Sequence, residues 1–205
     1  MKNPWEEIKL SDYENHMKLN TVMQQQCLNE MMRKQFYQYP VKRIMVLGIA
    51  GGNGLEHIDS QRIEKVYGVD INREYLTECA ARYKNLSGVL ECLLADLTDE
   101  NIVLPYADLV IANLFIEYVG YKYFKKVISN INPNYVSSVI QINADDNFVS
   151  DSPYLHAFDR LSCVHHQIDE DALSEAMNDI YYKLDTKEEQ LLPNGKKLLQ
   201  LNYKY

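Results

Sequence analysis

Short apolar runs alternate with helical stretches through most of the chain, and this alternation restricts the fold more than any other feature. Each run is about five residues long and is bounded by turn-forming residues, which is typical of strands buried on both faces. Strands separated by helices along a chain usually lie parallel in one sheet. The predicted strands are Arg43–Leu47, Lys65–Val69, Leu90–Leu94, Leu109–Asn113 and Ser138–Ile142.

The segments around these strands complete the predicted fold. At the C-terminal end, Leu191-Leu192 and Lys197–Tyr203 flank Pro193-Asn194-Gly195, which predicts a tight reversal between two antiparallel strands. We therefore expect an α/β fold, with a doubly wound, mostly parallel seven-stranded sheet and a C-terminal antiparallel hairpin. The predicted helices between the strands run from about Gly54 to Ser60, from Arg73 to about Leu86 and near Tyr121–Ile131.

The first forty residues have helical periodicity and no strand pattern. Ser11 and Glu14 form a capping-box signature, which predicts that a helix begins at Ser11. The apolar residues after Met17 recur at three- and four-residue steps, and Pro40 ends the segment. We expect a helical N-terminal extension at residues 1–40 and an α/β domain at residues 41–205.

Composition and charge exclude several classes of protein. The formal net charge of −8 opposes binding to nucleic acid, since no compact basic cluster compensates for it. The four cysteines form no Cys-x-x-Cys pair and no secretory signal is evident, so we expect free thiols in the cytoplasm. The longest apolar runs, such as Leu109–Phe115, are too short to span a membrane. We expect a cytoplasmic monomer or homodimer that does not bind membranes.

The first predicted strand leads directly into a glycine-rich turn at Gly48–Gly54. Small residues allow a ligand to approach the backbone, and a helix starting at Gly54 or Leu55 would direct unpaired N–H groups toward that ligand. Dinucleotide sites use Gly-x-Gly-x-x-Gly, but here His57 stands at the third glycine position. The spacing therefore argues against a dinucleotide site.

The turn resembles the first motif of the class I S-adenosylmethionine-dependent methyltransferases, which runs acidic-x-Gly-x-Gly-x-Gly. Ala50, Gly52 and Gly54 stand at the three glycine positions, and Gly48 stands where the family usually has an acid. The resemblance implies that S-adenosylmethionine is the cofactor and that residues 41–205 form a Rossmann-like methyltransferase domain. It also implies that the role of the missing carboxylate passes to backbone carbonyls or to another side chain.

Two further acids follow at the spacing of this family. Asp70 ends the second predicted strand and resembles the ribose-binding acid, and Asp96 ends the third and resembles the adenine-contacting acid. Ile71 and Leu97 are included with them as cofactor-binding residues. On the alternative interpretations, Asp70 caps the helix that starts at Arg73 and Asp96 is a turn residue.

The end of the fourth predicted strand resembles the fourth motif of the family, which implies that Asn113 forms a wall of the reaction chamber and contributes to the cofactor site. The Asn/Asp-Pro-Pro-aromatic motif of enzymes that methylate adenine or glutamine is missing, and no cysteine follows a proline. The candidate catalytic residues are Glu117, Tyr118 and His166, with His165 beside them. On the alternative interpretation, the two histidines are a surface pair.

Other features are weaker. Asp145-Asp146-Asn147 is similar to the ligands of metal-dependent catechol-type methyltransferases, but Asn113 replaces the third ligand, so we expect no metal. Tyr118, Tyr121 and Tyr123 are candidates to line an aromatic pocket. The segment at residues 12–17 is similar to the leader helix that small-molecule methyltransferases fold over the cofactor.

The sequence predicts transfer of a methyl group to an oxygen, nitrogen or sulfur atom of a small-molecule acceptor. Because a sulfonium is already a good leaving group, the protein would mainly position the reactants and exclude water. Two alternatives stay open: a methyltransferase-like domain that binds a partner or cofactor without catalysis, and a nucleotide-dependent oxidoreductase.

Overall fold

A computed structural model describes residues 2–143 and 147–205. In these ranges the chain forms one seven-stranded sheet with the order β3-β2-β1-β4-β5-β7-β6. The first five strands pair in parallel, and β7 pairs antiparallel with both β5 and β6. The strands are β1 Arg43–Leu47, β2 Lys65–Asp70, β3 Leu90–Leu94, β4 Leu109–Asn113, β5 Tyr135–Ile142, β6 Lys183–Leu191 and β7 Lys197–Lys204. The predicted fold class is confirmed.

Helices cover both faces of the sheet. The α-helices are α1 Leu10–Lys18, α2 Gln24–Gln38, α3 Arg73–Arg82, α4 Ile116–Ile131 and α5 Glu170–Asn178. Short 3-10 segments lie at Pro4–Glu6, Leu55–His57, Lys84–Leu86 and Leu155–Cys163. Among the described residues, no helix combines the length and the apolarity that a membrane span requires.

The predicted helix from Gly54 to Ser60 is wrong. Only a single 3-10 turn, Leu55–His57, follows the glycine-rich turn, and the face of the sheet beside it is covered by α2. Met32 and Phe36 of α2 are buried in the same apolar cluster as residues of β1, β2 and β4. The N-terminal extension therefore supplies the layer that the missing helix would have formed.

The N-terminal extension contains two helices where the periodicity predicted one. Met23 has a left-handed backbone, with φ of 56°, immediately before α2 begins. The predicted capping box is also wrong, because α1 begins one residue before Ser11 and its cap residue, Lys9, makes no side-chain hydrogen bond. Glu14 instead forms an ion pair with Arg82 of α3. The domain boundary at residue 40 stays a prediction.

The errors at the other elements have local causes. Helix α4 begins at Ile116, five residues before the predicted start near Tyr121, and it breaks at Gly120, where φ is 71° and ψ is 169°. Because of this break, the residues before Gly120 do not continue the helical periodicity of the residues after it, and the first turn was not predicted. Strand β5 begins at Tyr135 and not at Ser138, and α5 was not predicted.

Candidate functional site

Asp70 joins the glycine-rich turn to the end of β2. One of its oxygens accepts a hydrogen bond from the backbone N–H of Ala50 at 2.9 Å, and the other accepts one from Asn72 at 2.8 Å. The carboxylate is buried, with 8% exposed, and burial raises its pKa against the opposing effect of these N–H donors. Asn72, and not Asp70, caps α3 by accepting from the N–H groups of Glu74 and Tyr75. The helix-cap interpretation of Asp70 is therefore wrong.

Gly48 lies directly against the ring of Phe115. Its φ is +70°, and a Cβ at this position would lie 2.8 Å from Cδ2 of Phe115. Both the backbone conformation and the ring therefore oppose any side chain at position 48. The acid that the family usually has here is not merely absent, since its space is occupied by an aromatic ring.

A cavity of about 710 Å³, including its open mouth, lies at the carboxyl ends of β1, β2 and β3. We call it the strand-end cavity. Asp96 lies in its wall while also accepting hydrogen bonds from the N–H and hydroxyl of Thr98, so it is both a turn residue and a cavity residue. The predicted cofactor-binding residues in the wall are Gly48, Ala50, Asp70, Ile71, Asp96, Leu97 and Asn113.

The two remaining predicted cofactor residues, Gly52 and Gly54, do not line this cavity. A Cβ at Gly52 would meet Cys79 and Tyr83 within 3 Å, and a Cβ at Gly54 would meet Met32 at 2.7 Å. Both glycines also have positive φ angles. Their role in this structure is to let the turn pack against α2 and α3.

The side chain of Asn113 is held from the opposite face of the sheet. It forms a reciprocal pair of 2.9 Å hydrogen bonds with the buried amide of Gln35 in α2. Gln35 also donates to the hydroxyl of Ser137 at 2.8 Å. Asn113 lines the strand-end cavity, but both ends of its amide are bonded to α2.

A second cavity of about 610 Å³, open at its mouth, lies beside the first; we call it the aromatic cavity. The two cavities have Trp5, Tyr13, Leu114 and Tyr118 in common. Leu114 has a left-handed backbone with φ of 50°, a strained conformation for this residue type that recurs at functional sites. The remaining walls include His16, Glu117, Gln141, Phe148, Phe158, His165 and His166.

Glu117 is the buried acid of the aromatic cavity. It is 5% exposed, and its Oε1 accepts the backbone N–H of Gln141 at 2.9 Å. Within residues 2–143 and 147–205, no group is placed to bond its buried Oε2. Burial raises the pKa of this carboxyl to about 7. A carboxyl with this pKa exchanges its proton near neutral pH, which suits a general base.

The candidate histidines occupy different parts of this cavity. His165 stacks on Phe148 with 3.9 Å between ring centroids, and burial lowers its pKa. His166 is exposed, and its backbone N–H donates to the carbonyl of Glu117 at 2.7 Å. Its ring lies over Gly120, where a Cβ would be 3.4 Å from Nε2. The break in α4 thus makes room for His166 beside Glu117.

The N-terminal segment closes the two cavities from above. The carbonyl of Trp5 accepts a hydrogen bond from Asn72, and that of Ile8 accepts one from the hydroxyl of Tyr75. Farther along, Arg82 bonds both the carboxylate of Glu14 and the carbonyl of Gly51. These contacts place α1 beside the turn; that it covers a cofactor stays a prediction.

Several cavity residues were not predicted from the sequence. Trp5, His16, Phe148 and Phe158 come from segments far apart in the chain, and no local motif connects them. The abundance of tyrosine was the one available signal. Of the three tyrosines predicted to line a pocket, Tyr118 lies in both cavities, whereas Tyr121 and Tyr123 are absent from the walls of both cavities. Asp145 and Asp146 lie outside the described residues, and the rest of the chain holds no group of three metal-binding side chains.

Residues 45–133 match the family model described as a methyltransferase domain. The match begins within β1, ends just after α4 and includes the glycine-rich turn, Asp70, Asp96 and Glu117. This segment, somewhat less than half of the chain, is therefore similar to a methyltransferase domain. The family match therefore favours the methyltransferase interpretation over the oxidoreductase one.

Solved structures resemble the methyltransferase domain and its flanking elements in fold. The N-methyltransferase NodS from Bradyrhizobium japonicum WM9, in complex with S-adenosyl-L-homocysteine, is 10% identical, with 95% of this chain and 97% of that chain covered and a TM-score of 0.65. The methyltransferase domain of bacterial CtHen1-C is 16% identical, with 88% and 97% covered and a TM-score of 0.66. The [4+2]-cyclase SpnF is 9% identical, with 87% and 80% covered and a TM-score of 0.65. These identities establish a common fold alone, and no curated protein matches the chain significantly.

Proposed function

We propose that this chain is an S-adenosylmethionine-dependent methyltransferase acting on a small-molecule acceptor, with the donor in the strand-end cavity and the acceptor in the aromatic cavity. The observation that carries the proposal is the contact between the two cavities. One contains the acids that end β2 and β3, the other contains Glu117, and they meet at Trp5, Tyr13, Leu114 and Tyr118. Two reactants bound there would lie side by side, as a displacement requires.

The residues of the strand-end cavity fit an adenosine. Asp70 lies in the cavity wall, and a carboxylate accepts both hydroxyl protons of a ribose well. Asp96 uses one oxygen in its turn, which leaves the other for the exocyclic amine of adenine. Ile71 and Leu97 provide apolar surface for the base. The volume of the cavity is within the range of small-molecule sites.

A third cavity, which we call the loop cavity, fits the amino-acid end of the donor. It adjoins the strand-end cavity at Tyr13, Gly48, Ala50 and Asn113. Oε1 of Gln25, which is in its wall, is buried and makes no hydrogen bond within the described part of the chain. A carbonyl oxygen in this state would accept an ammonium group and so replace the acid excluded from position 48.

When bound, S-adenosylmethionine supplies a sulfonium methyl group: an acceptor lone pair forms the new bond to carbon while the carbon–sulfur electron pair returns to sulfur. The residues of the chain exclude water, accept the proton and orient the acceptor. Tyr13 and Trp5 exclude water where the cavities meet, and Glu117 takes the proton that the acceptor gives up. Tyr118 and His166 lie beside Glu117 and orient the acceptor.

Calorimetric titration with S-adenosylhomocysteine tests the proposal. We expect one binding site per chain, weakened when Asp96 is replaced by alanine. Absence of binding at millimolar ligand would overturn the proposal. A matched control is Asp99→Ala, because Asp99 is an exposed acid of the same loop that lines neither the strand-end nor the aromatic cavity.

The second candidate function is binding of the cofactor or a partner without methyl transfer. The contact between Gly48 and Phe115 favours it, because the family's usual acid has no space here. Incubation with methyl-labelled donor and a pool of small metabolites separates the two functions. Transfer of label supports catalysis, whereas binding of S-adenosylhomocysteine without any transfer supports the second function.

A further inference from the structure

The unpaired oxygen of Glu117 is the most informative polar atom in the aromatic cavity. The side chain is 5% exposed and lies in the cavity wall, and only its Oε1 has a partner, the N–H of Gln141. Leaving a carboxylate oxygen buried without a partner is costly, so a polar group that enters the cavity gains by bonding it. In its ionised form the carboxylate only accepts hydrogen bonds, so the partner that fits this form is a donor.

The walls around Glu117 favour a positively charged donor. Trp5 packs edge-on against both Tyr118 and Tyr13, with 4.8 Å and 5.6 Å between ring centroids. Phe148, also in the cavity wall, stacks on His165. The faces of such rings attract cations and also provide apolar surface for a hydrocarbon body.

Among the described residues, no charged group in the walls of the aromatic cavity pairs with the carboxylate of Glu117. Burial lowers the pKa of His16 to about 4, with Lys196 as a second cause, and burial lowers that of His165, so both rings are neutral at pH 7. Burial raises the pKa of the Tyr13 and Tyr118 hydroxyls, which keeps them protonated. The ammonium of Lys196 donates to the backbone carbonyls of residues 147 and 148, and His166 lies at the exposed rim.

We infer that the aromatic cavity binds an aryl-alkyl amine, with its ammonium group on Oε2 of Glu117, and that this nitrogen is the methyl acceptor. The inference rests on the proposed function and specifies its substrate class. A neutral alcohol of the same shape would satisfy the oxygen with a weaker hydrogen bond and would gain nothing from the ring faces.

Glu117 also has a chemical role that suits an amine. Its carboxylate takes one proton from the ammonium, which frees the nitrogen lone pair. That pair forms the bond to the methyl carbon, the carbon–sulfur pair stays on sulfur, and the product is a methylated ammonium ion. The proton on Glu117 then passes to solvent. An alkylammonium has a pKa of about 10, which is within a few units of the pKa of this carboxyl. The pKa of an alcohol is much higher, so an alcohol would give its proton to Glu117 far less readily.

The test compares matched ligands by calorimetry, with and without S-adenosylhomocysteine. The probes are 2-phenylethylamine and tryptamine, each paired with its alcohol, 2-phenylethanol and tryptophol. We expect each amine to bind about 10-fold to 100-fold more tightly than its alcohol, as for a charge-assisted hydrogen bond. Glu117→Gln should reduce this ratio to about one. Glu175→Gln, which removes an exposed acid of α5, should leave it unchanged.

The outcomes separate this inference from the proposed function. S-adenosylhomocysteine binding without a preference for the amines overturns the inference and leaves the proposed function intact. Failure of every amine to bind, or a preference that survives in Glu117→Gln, overturns the inference as well. If the protein does not bind S-adenosylhomocysteine but still prefers the amines to the alcohols, the proposed function is overturned and the cavity is an amine-binding site only. Thermal unfolding of each variant confirms that it is folded.

Discussion

The ring of Phe115 fills the space that a side chain at Gly48 would need, at the carboxyl edge of the sheet. A side chain at position 48 is therefore incompatible with this position of the ring. Restoring the usual acid of the family should therefore damage the protein. For Gly48→Asp, we expect a loss of about 2 to 4 kcal/mol in the free energy of unfolding, because the left-handed backbone and the overpacked ring both oppose it. Binding of S-adenosylhomocysteine should weaken as well.

Chemical denaturation measures this loss. Gly88→Ala is the matched control, since a Cβ there meets nothing within 4 Å. If Gly48→Asp is as stable as Gly88→Ala, Phe115 does not block position 48.

Asp70 and Asp96 should respond differently to replacement. Asp70 is buried and bonds two backbone N–H groups, so Asp70→Ala should lower both the melting temperature and the affinity for S-adenosylhomocysteine. Asp96 is exposed, so Asp96→Ala should lower affinity by about 10-fold with little change in melting temperature. Calorimetry and thermal unfolding distinguish these patterns. Equal melting temperatures for the two variants would contradict the structural role of Asp70.

Gln25 should matter only for ligands that carry an amino-acid end. Gln25→Leu removes the unpartnered oxygen of the loop cavity and should weaken S-adenosylhomocysteine binding by about 10-fold. The affinity for 5′-methylthioadenosine, which lacks that end, should be unchanged. Gln26→Leu, at the exposed neighbouring position, serves as the control. Equal losses for both ligands would place the effect of Gln25 elsewhere.

Glu117 should make stability depend on pH. Its folded pKa of about 7 lies above the ordinary value of 4.5, so its contribution to stability is fully present below pH 4.5 and is lost as the pH rises through 7. The loss amounts to about 3 kcal/mol at most. Glu117→Gln should therefore become more stable than the parent protein above pH 7. Melting temperatures between pH 5 and 8 measure this, and parallel curves for the two proteins would show that Glu117 does not titrate in this range.

Arg82 should hold the N-terminal segment over the turn. Its guanidinium bonds Glu14 and the carbonyl of Gly51, so Arg82→Ala should increase cleavage within residues 1–23 by added protease. Arg33→Ala removes an exposed ion pair with Glu30 and is the control. Equal rates of cleavage for the two variants would mean that α1 is held in place without the contacts of Arg82.

The sequence predicted the sheet well because its strands are short, buried and separated by clear turns. Strands β1, β3 and β4 have the predicted bounds, and the hairpin lies where Pro193-Asn194-Gly195 indicated. The helix after the turn was not predicted correctly, because its place is taken by α2 from before β1. The sequence of residues 54–60 contains no signal that α2 takes the place of this helix.

The sequence predicted only those parts of the candidate site that lie at the ends of strands. Asp70 is the last residue of β2 and Asp96 lies two residues after β3, so the parallel sheet alone brings them to one edge. The contact between Gly48 and Phe115, by contrast, joins residues from different strand ends, and the aromatic cavity draws Trp5 and Phe148 from opposite ends of the chain. Such contacts depend on side-chain packing, which periodicity and motif spacing do not describe.

The position of α2 sets an order of events during synthesis. Met32 and Phe36 leave the ribosome before β1, yet the cluster that buries them also needs Leu109 and Ile111 of β4. Until these residues are added, the cluster around α2 contains residues of β1 and β2 but lacks those of β4, so the apolar face of α2 is only partly covered. We therefore expect the packing of α2, and of the glycine-rich turn against it, to be complete only after β4 has emerged.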